Sequence, residues 1–399
     1  MRFTWLLYLG YWLLFLMQTK TSYDVVVIGS GPAGATLAYE LASAGIKVLV
    51  LEKSWLPRYK CCGGGITFKT SKLLSPEIQS TFQNTIYGLR MSFPGDCLFD
   101  KVSAEPIMYT VMRDEFDYAL AKRAEAAGAV LLQKTAAAKI MVNYNDVEVT
   151  TDSATFRAKY VVGADGANGI TAKEIGVKSE SPHIVAVESE VRVSAADMEQ
   201  WRARVMLELG RVSAGYAWVF PKADHLSIGI GSMPRHAKNL RRNYDEFLNS
   251  LNFHDHEIVK FGSAFIPVCT GKASAGKDRI ILVGDAAGLG DPLTGEGIYN
   301  AVVSANLAAA AIKNALAKNT GDLAEYAHLV EKKIVPEMKI ANTYSKLLTL
   351  VPRRLFDMVK GEERVWRGCC HLLRGERNYT DIKNRLNTFG GMYTFVFRR

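Results

Sequence analysis

The chain has 399 residues, 48% of them hydrophobic, which is ample for one large interleaved domain or two to three small ones. Its six cysteines (Cys61, Cys62, Cys97, Cys269, Cys369 and Cys370) are too few for a disulfide scaffold and give no C-x-x-C pair or zinc spacing. No metal is therefore expected, and a reducing cytoplasmic setting is the default. The formal charge is +9, but no nucleic-acid-binding motif accompanies it, so nucleic acid is not an expected partner.

Residues 1–20 open with an apolar run of fifteen, Phe3–Met17, that ends at Gln18, Thr19 and Lys20. It is shorter than the ~20 residues of a spanning helix, and no small-residue cleavage site follows. An interfacial anchor, an uncleaved signal-like anchor and an upstream start-site extension all fit. A membrane-associating segment is the favoured reading.

Tyr23–Ile28 is a short β-branched run, read as a buried parallel strand. Gly29-Ser-Gly31-Pro-Ala-Gly34 follows, then a helix-like stretch and a second strand, Lys47–Leu51, that ends on Glu52 and Lys53. Strand, G-x-G-x-x-G, helix, strand and acid in this order make a dinucleotide site. Gly29 allows the tight turn, Gly31 the approach of a pyrophosphate, and Gly34 close helix–strand packing. Glu52, eighteen residues past Gly34, is placed to accept hydrogen bonds from a ribose.

After the second strand comes Pro57-Arg-Tyr-Lys-Cys61-Cys62-Gly63-Gly64-Gly65. Further on, Arg113 starts a helical stretch. A strand then ends on Asp165-Gly166, and another, Ile280–Val283, on Gly284-Asp285. Pro292-Leu-Thr-Gly295-Glu-Gly297 opens a long Ala-rich helix from Ile298. In Tyr216-Ala-Trp218-Val-Phe220-Pro221 the aromatics alternate with period two, which puts all three on one face of a strand. That stripe is either sheet core or the lining of a slot. His254-Asp-His256 reads as a polar loop between helix and strand.

The fingerprint, the Asp165-Gly166 segment and the Gly284-Asp285 segment together resemble FAD-dependent proteins of the p-hydroxybenzoate hydroxylase fold. That resemblance places Asp165, Gly166, Gly284, Asp285 and Arg113 around FAD. The positive end of the helix from Ile298, with Pro292, Gly295 and Gly297 before it, would face the flavin edge where negative charge collects on reduction. Aromatic hydroxylases of this fold carry a histidine where this chain has Gly288. Within the fold, the PRYKCCGGG stretch resembles the PR-x-K-x-CGGG segment of the geranylgeranyl reductase family. Gly215–Pro221 is similar to that family's YxWxFP motif, with Ser213 where the family often has proline.

The resemblance spans about 23–310. It implies a mixed α/β protein: a Rossmann-type FAD-binding domain (23–68, 108–178 and 276–316) interleaved with an antiparallel-sheet substrate domain (69–107 and 179–275). Residues 317–399 form a basic helical C-terminal region. In this reading Cys62 is the catalytic proton donor or holds the water that is, and Gly63 and Gly64 let the main chain pass the flavin or the lipid. Tyr216, Trp218, Phe220 and Pro221 line the substrate slot. The reaction is reduction of polyprenyl double bonds on a lipid, quinone or chlorophyll precursor, with electrons from an external donor such as NAD(P)H or reduced ferredoxin. An FAD monooxygenase and a flavin-stabilised polyprenyl carrier are the alternatives. From Arg353 to Arg399 eleven Lys/Arg stand against five Asp/Glu, among large apolar residues that include Phe356 and Trp366. That mixture suits either a membrane surface or an ordinary helical cap.

Overall fold

The computed structural model describes residues 22–96, 98–177 and 181–388. The apolar run Phe3–Met17 and the last eleven residues lie outside them. The β-branched strand Ser22–Ile28 sits at the middle of a sheet of eight strands. It pairs in parallel with Val48–Leu51 on one side and Thr155–Gly163 on the other. Val130–Leu132 and Ile280–Leu282 extend the parallel run, and a hairpin, Ala137–Val142 with Val147–Thr151, attaches by its second strand to Thr155–Gly163. Helices cover the central strands, so Val25, Val26 and Val27 are fully buried. The helices Pro32–Ala42, Arg113–Ala126 and Ile298–Lys318 pack together; the alanines of the last lie in the same core as Leu37 and Leu41.

The second sheet has seven strands, from His256–Pro267 through His183–Val193, Leu226–Ser232, Gly215–Pro221, Arg204–Leu209 and Gly88–Ser92 to Phe99–Val102. All neighbours are antiparallel except Arg204–Leu209 beside Gly88–Ser92. Alternation gives this sheet two unlike faces. Ala217, Val219, Ile228 and Ile230 meet Tyr244 and Phe247 of the helix Leu240–Ser250. The opposite face carries Tyr216, Trp218, Phe220, Gly229, Gly231, Glu188 and Glu190, and looks toward the glycine segment.

A small third sheet, Gly65–Thr67, Met108–Val111 and Phe82–Ile86, joins the two halves. Phe82–Ile86 thus pairs across the expected boundary at 107. Five helices finish the described chain, from Ala324–Lys333 to Tyr379–Thr388. Several of their large apolar residues turn inward, while Leu350 is exposed. Phe356 and Val359 pack on Met91 and Leu209, while Trp366 packs on Ile107 and Val205. Phe356, Val359 and Trp366 are therefore used by the protein's own core. Among the described residues no helix is long and apolar enough to cross a membrane.

Candidate active site

The carboxyl ends of Ser22–Ile28, Thr155–Gly163 and Ile280–Leu282 lie side by side, where a doubly wound sheet forms its ligand crevice. The three fingerprint glycines have different neighbours there. At Gly29, with φ +101°, an added Cβ would fall 2.4 Å from the Ala164 carbonyl oxygen. At Gly34 it would fall 1.9 Å from the Gly29 oxygen. Both glycines are therefore required by the protein's own packing. At Gly31 the nearest atom would be Arg58 Nη2 at 3.9 Å, so the space above Gly31 is open to the crevice.

Glu52 is buried at the end of its strand. Its Oε2 accepts from Ser30 N–H at 3.1 Å and Ser30 Oγ at 2.6 Å, and its Oε1 accepts from Ser54 N–H at 3.0 Å. Lys53 is exposed, and no described contact draws it toward the crevice. Asp165 Oδ2 accepts from the N–H and hydroxyl of Thr171, while its Oδ1 is buried without a partner. Gly166 follows in the turn, with no atom within 4 Å of an added Cβ.

Gly284 packs against Ala33 and Ala301, and Asp285 Oδ1 lies 3.1 Å from where a Gly297 Cβ would stand. The N-terminus of the helix Ile298–Lys318 has no side-chain cap. These residues fit an FAD. They supply an open seat above a glycine at one helix end, an orphaned carboxylate oxygen, an uncapped second helix end and Asp285 beside it.

The loop 291–297 before that helix is fastened on both sides. Buried Asp291 accepts from the N–H groups of Leu293 and Thr294 and from the Tyr379 hydroxyl at 2.7 Å. Glu296 accepts from the hydroxyls of Thr67 and Thr70 and pairs with Lys69. Pro292 and Gly295 lie between these ties, and the Tyr216 hydroxyl donates to the Thr294 carbonyl. Behind the loop is a cavity of about 340 Å³ lined by Lys69, Asp291, Glu337, Arg377 and Tyr379. Burial pushes the Asp291 carboxyl up from its ordinary range, against the pull of Lys69 and the Tyr379 hydroxyl.

The aromatic stripe lies on one face as expected. The Tyr216 and Trp218 rings are 5.9 Å apart at 64°, and Trp218 lies over Gly229. Phe220 lies against Gly63 and Gly65, and the Pro221 carbonyl accepts from the Thr110 hydroxyl at 2.7 Å. The triple glycine has a different explanation from the expected one. A Cβ on Gly63 would fall 2.5 Å from the Phe220 ring, and one on Gly64, at φ +64°, would fall 2.1 Å from the Val111 oxygen. Protein, ahead of any bound ring, requires these glycines.

The two cysteines part company. Cys61 points at the sheet, with Sγ 3.9 Å from Glu188 Oε1, and burial, with Glu188 next, raises its pKa. Cys62 Sγ accepts from the Gly64 N–H at 3.4 Å and lies beside Arg113. Arg113 is buried and makes a two-pronged pair with Asp117, at 2.8 and 2.9 Å, which Arg58 shares at 3.1 Å. Burial alone would lower the Arg113 pKa, but Asp117 and Cys62 hold it above its usual value. Among the described residues no three His, Cys, Asp or Glu side chains gather as metal ligands.

Sequence reasoning missed a set of buried charges around this segment: Glu188, Glu190, Lys222 and Asp117. One signal was available. In His183–Val193 (HIVAVESEVRV) two acids alternate inside an apolar strand, so both share one face.

Comparison with known proteins agrees with this geometry. The family described as FAD binding domain matches residues 22–221. A digeranylgeranylglycerophospholipid reductase of Methanosphaerula palustris is 33% identical over 314 residues, 73% of this chain and 76% of the relative. One from Thermoplasma acidophilum is 30% identical over 393 residues, 86% of this chain and 94% of the relative. The crystal structure of a geranylgeranyl bacteriochlorophyll reductase-like protein from Thermoplasma acidophilum superposes with a TM-score of 0.79 at 25% identity. It covers 92% of this chain and 99% of that one.

Proposed function

The chain belongs to the geranylgeranyl reductase family of FAD-dependent oxidoreductases, and on that footing we propose that it hydrogenates carbon–carbon double bonds of a polyprenyl chain. The chain would be a geranylgeranyl or related group carried on a lipid, quinone or chlorophyll precursor. One observation carries the reading: an aromatic sheet face, Tyr216 and Trp218, is tied by the Tyr216 hydroxyl to the cofactor loop and lies close to the Cys62–Gly65 main chain.

When bound, FAD supplies the hydride that an alkene reduction requires. The residues we assign to holding it are Gly29, Gly31, Gly34, Glu52, Asp165, Gly166, Asp285 and the loop 292–297, with Arg113 and the Gly63–Gly64 main chain beyond. An isolated trisubstituted alkene is not polarised, so a proton must arrive at the other carbon together with the hydride. Cys62 supplies that proton from Sγ, which lies beside Arg113 and the Gly64 N–H. Positive charge then develops at the more substituted carbon. The π-faces of Tyr216 and Trp218 favour it by ~1–2 kcal/mol per ring in a dry cleft. Electrons enter from an external donor, NAD(P)H or reduced ferredoxin, and the basic face of the C-terminal helices meets a membrane surface that holds the lipid.

The test is expression in a host that makes unsaturated polyprenyl lipids, followed by lipid mass spectrometry. Mass gains of two hydrogens per reduced bond are expected. Unchanged lipids, or oxygen consumption that depends on substrate, overturn the reading.

A further inference from the structure

Glu188 and Glu190 leave the same face of the strand His183–Val193, and both are buried. Glu188 sits where two parts of the site meet. Its Oε1 accepts from the Cys62 N–H at 2.8 Å, and its Oε2 accepts from the Trp218 Nε1–H at 2.9 Å. One carboxyl group thus holds both the loop that carries the thiol and the ring that floors the cleft. The main chain is held again one residue on: fully buried Lys222 donates from Nζ to the Gly63 carbonyl at 2.6 Å. An acid on the N–H and a base on the C=O fix the Cys62–Gly63 main chain at adjacent points.

We propose that Glu188 is the positioning residue of the proton-delivery site, a single titratable side chain that aims Cys62 and Trp218 at one another and loosens that aim when it is protonated. The proposal rests on the reading of Cys62 as the proton donor. It follows from the strength of the bonds: N–H bonds to a carboxylate are about twice as strong as bonds to a neutral acceptor.

The groups that face Glu188 set when this happens. Burial, and then the charge of Glu190, push its carboxyl up to about 7, against the pull of Lys222, the Trp218 N–H and the Cys62 N–H. Tyr59 and Cys61 on the glycine segment, and Tyr244 on the covering helix, are the other titratable groups beside it. Glu190 stays ionised. Burial would raise its pKa, but His225 and Ser227 hold it below the usual carboxylate value. Glu190 is also linked to solvent. Glu190 Oε2 meets His225 Nε2 at 3.2 Å, and His225 Nδ1 meets Asp224, whose side chain is 74% exposed. His225 and Asp224 thus link Glu190, the acid next to Glu188 on that face, to solvent.

The experiment uses the full-length FAD-loaded protein and two readouts. Infrared titration follows the carboxylic-acid C=O band without any substrate. A band with a midpoint near 7 is expected, absent in Glu188→Gln and moved to lower pH in Glu190→Gln, which removes the like charge. Anaerobic single-turnover reoxidation by a polyprenyl substrate follows function. Glu188→Gln should be slower than wild type by about tenfold at pH 8 and nearly equal to it at pH 6, where the wild-type carboxyl is already protonated. Glu188→Asp, which keeps the charge, should recover part of the pH 8 rate. A wild type without the band, a band that survives in Glu188→Gln, or an equal loss at both pH values overturns the proposal. If Glu188→Gln does not fold, an unmoved midpoint in Glu190→Gln overturns it. If no polyprenyl chain reoxidises the wild type, the substrate reading falls, and the infrared midpoints alone decide for or against the anchor.

Discussion

Replacing Gly31 by alanine separates the demands of the fold from those of the cofactor. Gly31 has φ −68° and ψ −175°, an extended conformation open to any residue, and Pro32 after it favours that same region. The added methyl would have no protein atom closer than 3.9 Å. The apo protein should therefore melt at or slightly above the wild-type temperature, since a compatible Gly→Ala change stabilises by about 0.4–1 kcal/mol. FAD binding should suffer, because the methyl stands in the open seat at the helix end. Losing one charge-assisted N–H bond at about 1.5–3 kcal/mol, and part of the helix-end attraction at about 0.3–1 kcal/mol, gives roughly 3 kcal/mol, or about 100-fold in Kd. Gly34→Ala is the contrast: its Cβ would fall 1.9 Å from the Gly29 oxygen, so the turn itself must shift and the apo melting temperature must drop. The assay pairs thermal melts of the apo proteins with FAD titration followed by flavin fluorescence. A Gly31→Ala protein that binds FAD like the wild type, or an apo form that melts like Gly34→Ala, refutes the reasoning.

Cys62→Ala should keep FAD and accept electrons normally, yet reoxidise with substrate about 10²–10⁴-fold more slowly, while Cys61→Ala behaves like wild type; equal single-turnover rates would leave Cys62 as packing. Between pH 4.5 and about 7 the folded protein binds more protons at Glu188 than the unfolded chain does, so stability should fall by up to about 3 kcal/mol as pH rises through that window. Glu188→Gln should flatten that part of a denaturation-against-pH curve, and an unchanged slope would show that the shift is absent. Tyr379→Phe removes a donor from buried Asp291, at a cost of about 1–3 kcal/mol that should grow as pH rises, because the hydroxyl favours the charged carboxylate; a loss in chemical denaturation that does not change with pH would contradict it. Deleting residues 1–20 should leave a folded yellow protein, checked by circular dichroism and FAD content, because the first described strand begins at Ser22.

The nucleotide half was legible because its constraints are local. A β-branched strand, three glycines and an acid occur within about thirty residues, and of the glycines Gly34 answers to a neighbour close in sequence, whereas Gly29 meets Ala164 across the sheet. The aromatic stripe was legible by period alone. The purpose of Gly63 was not, because the rings that require it, Phe220 and Trp218, lie more than 150 residues away. The charged interior was hidden for the same reason. Glu188, Lys222 and Asp117 read as ordinary surface residues until a tertiary partner is known for each. The C-terminal helices left two readings open: Phe356 and Trp366 stand among arginines as membrane-facing residues would, yet they close the edge of the second sheet.

The bond from Tyr379 to Asp291 joins positions 88 residues apart and gives the C-terminal region a hold on the loop at the head of the long helix. A nick or fusion near Gly375 would not simply trim an appendage. It would leave the Asp291 carboxylate buried with one donor fewer and open the cavity behind the loop to water. Cofactor retention during purification thus becomes a gauge of whether the far end of the chain is intact, and a preparation that slowly loses its yellow colour should first be checked for proteolysis at that end.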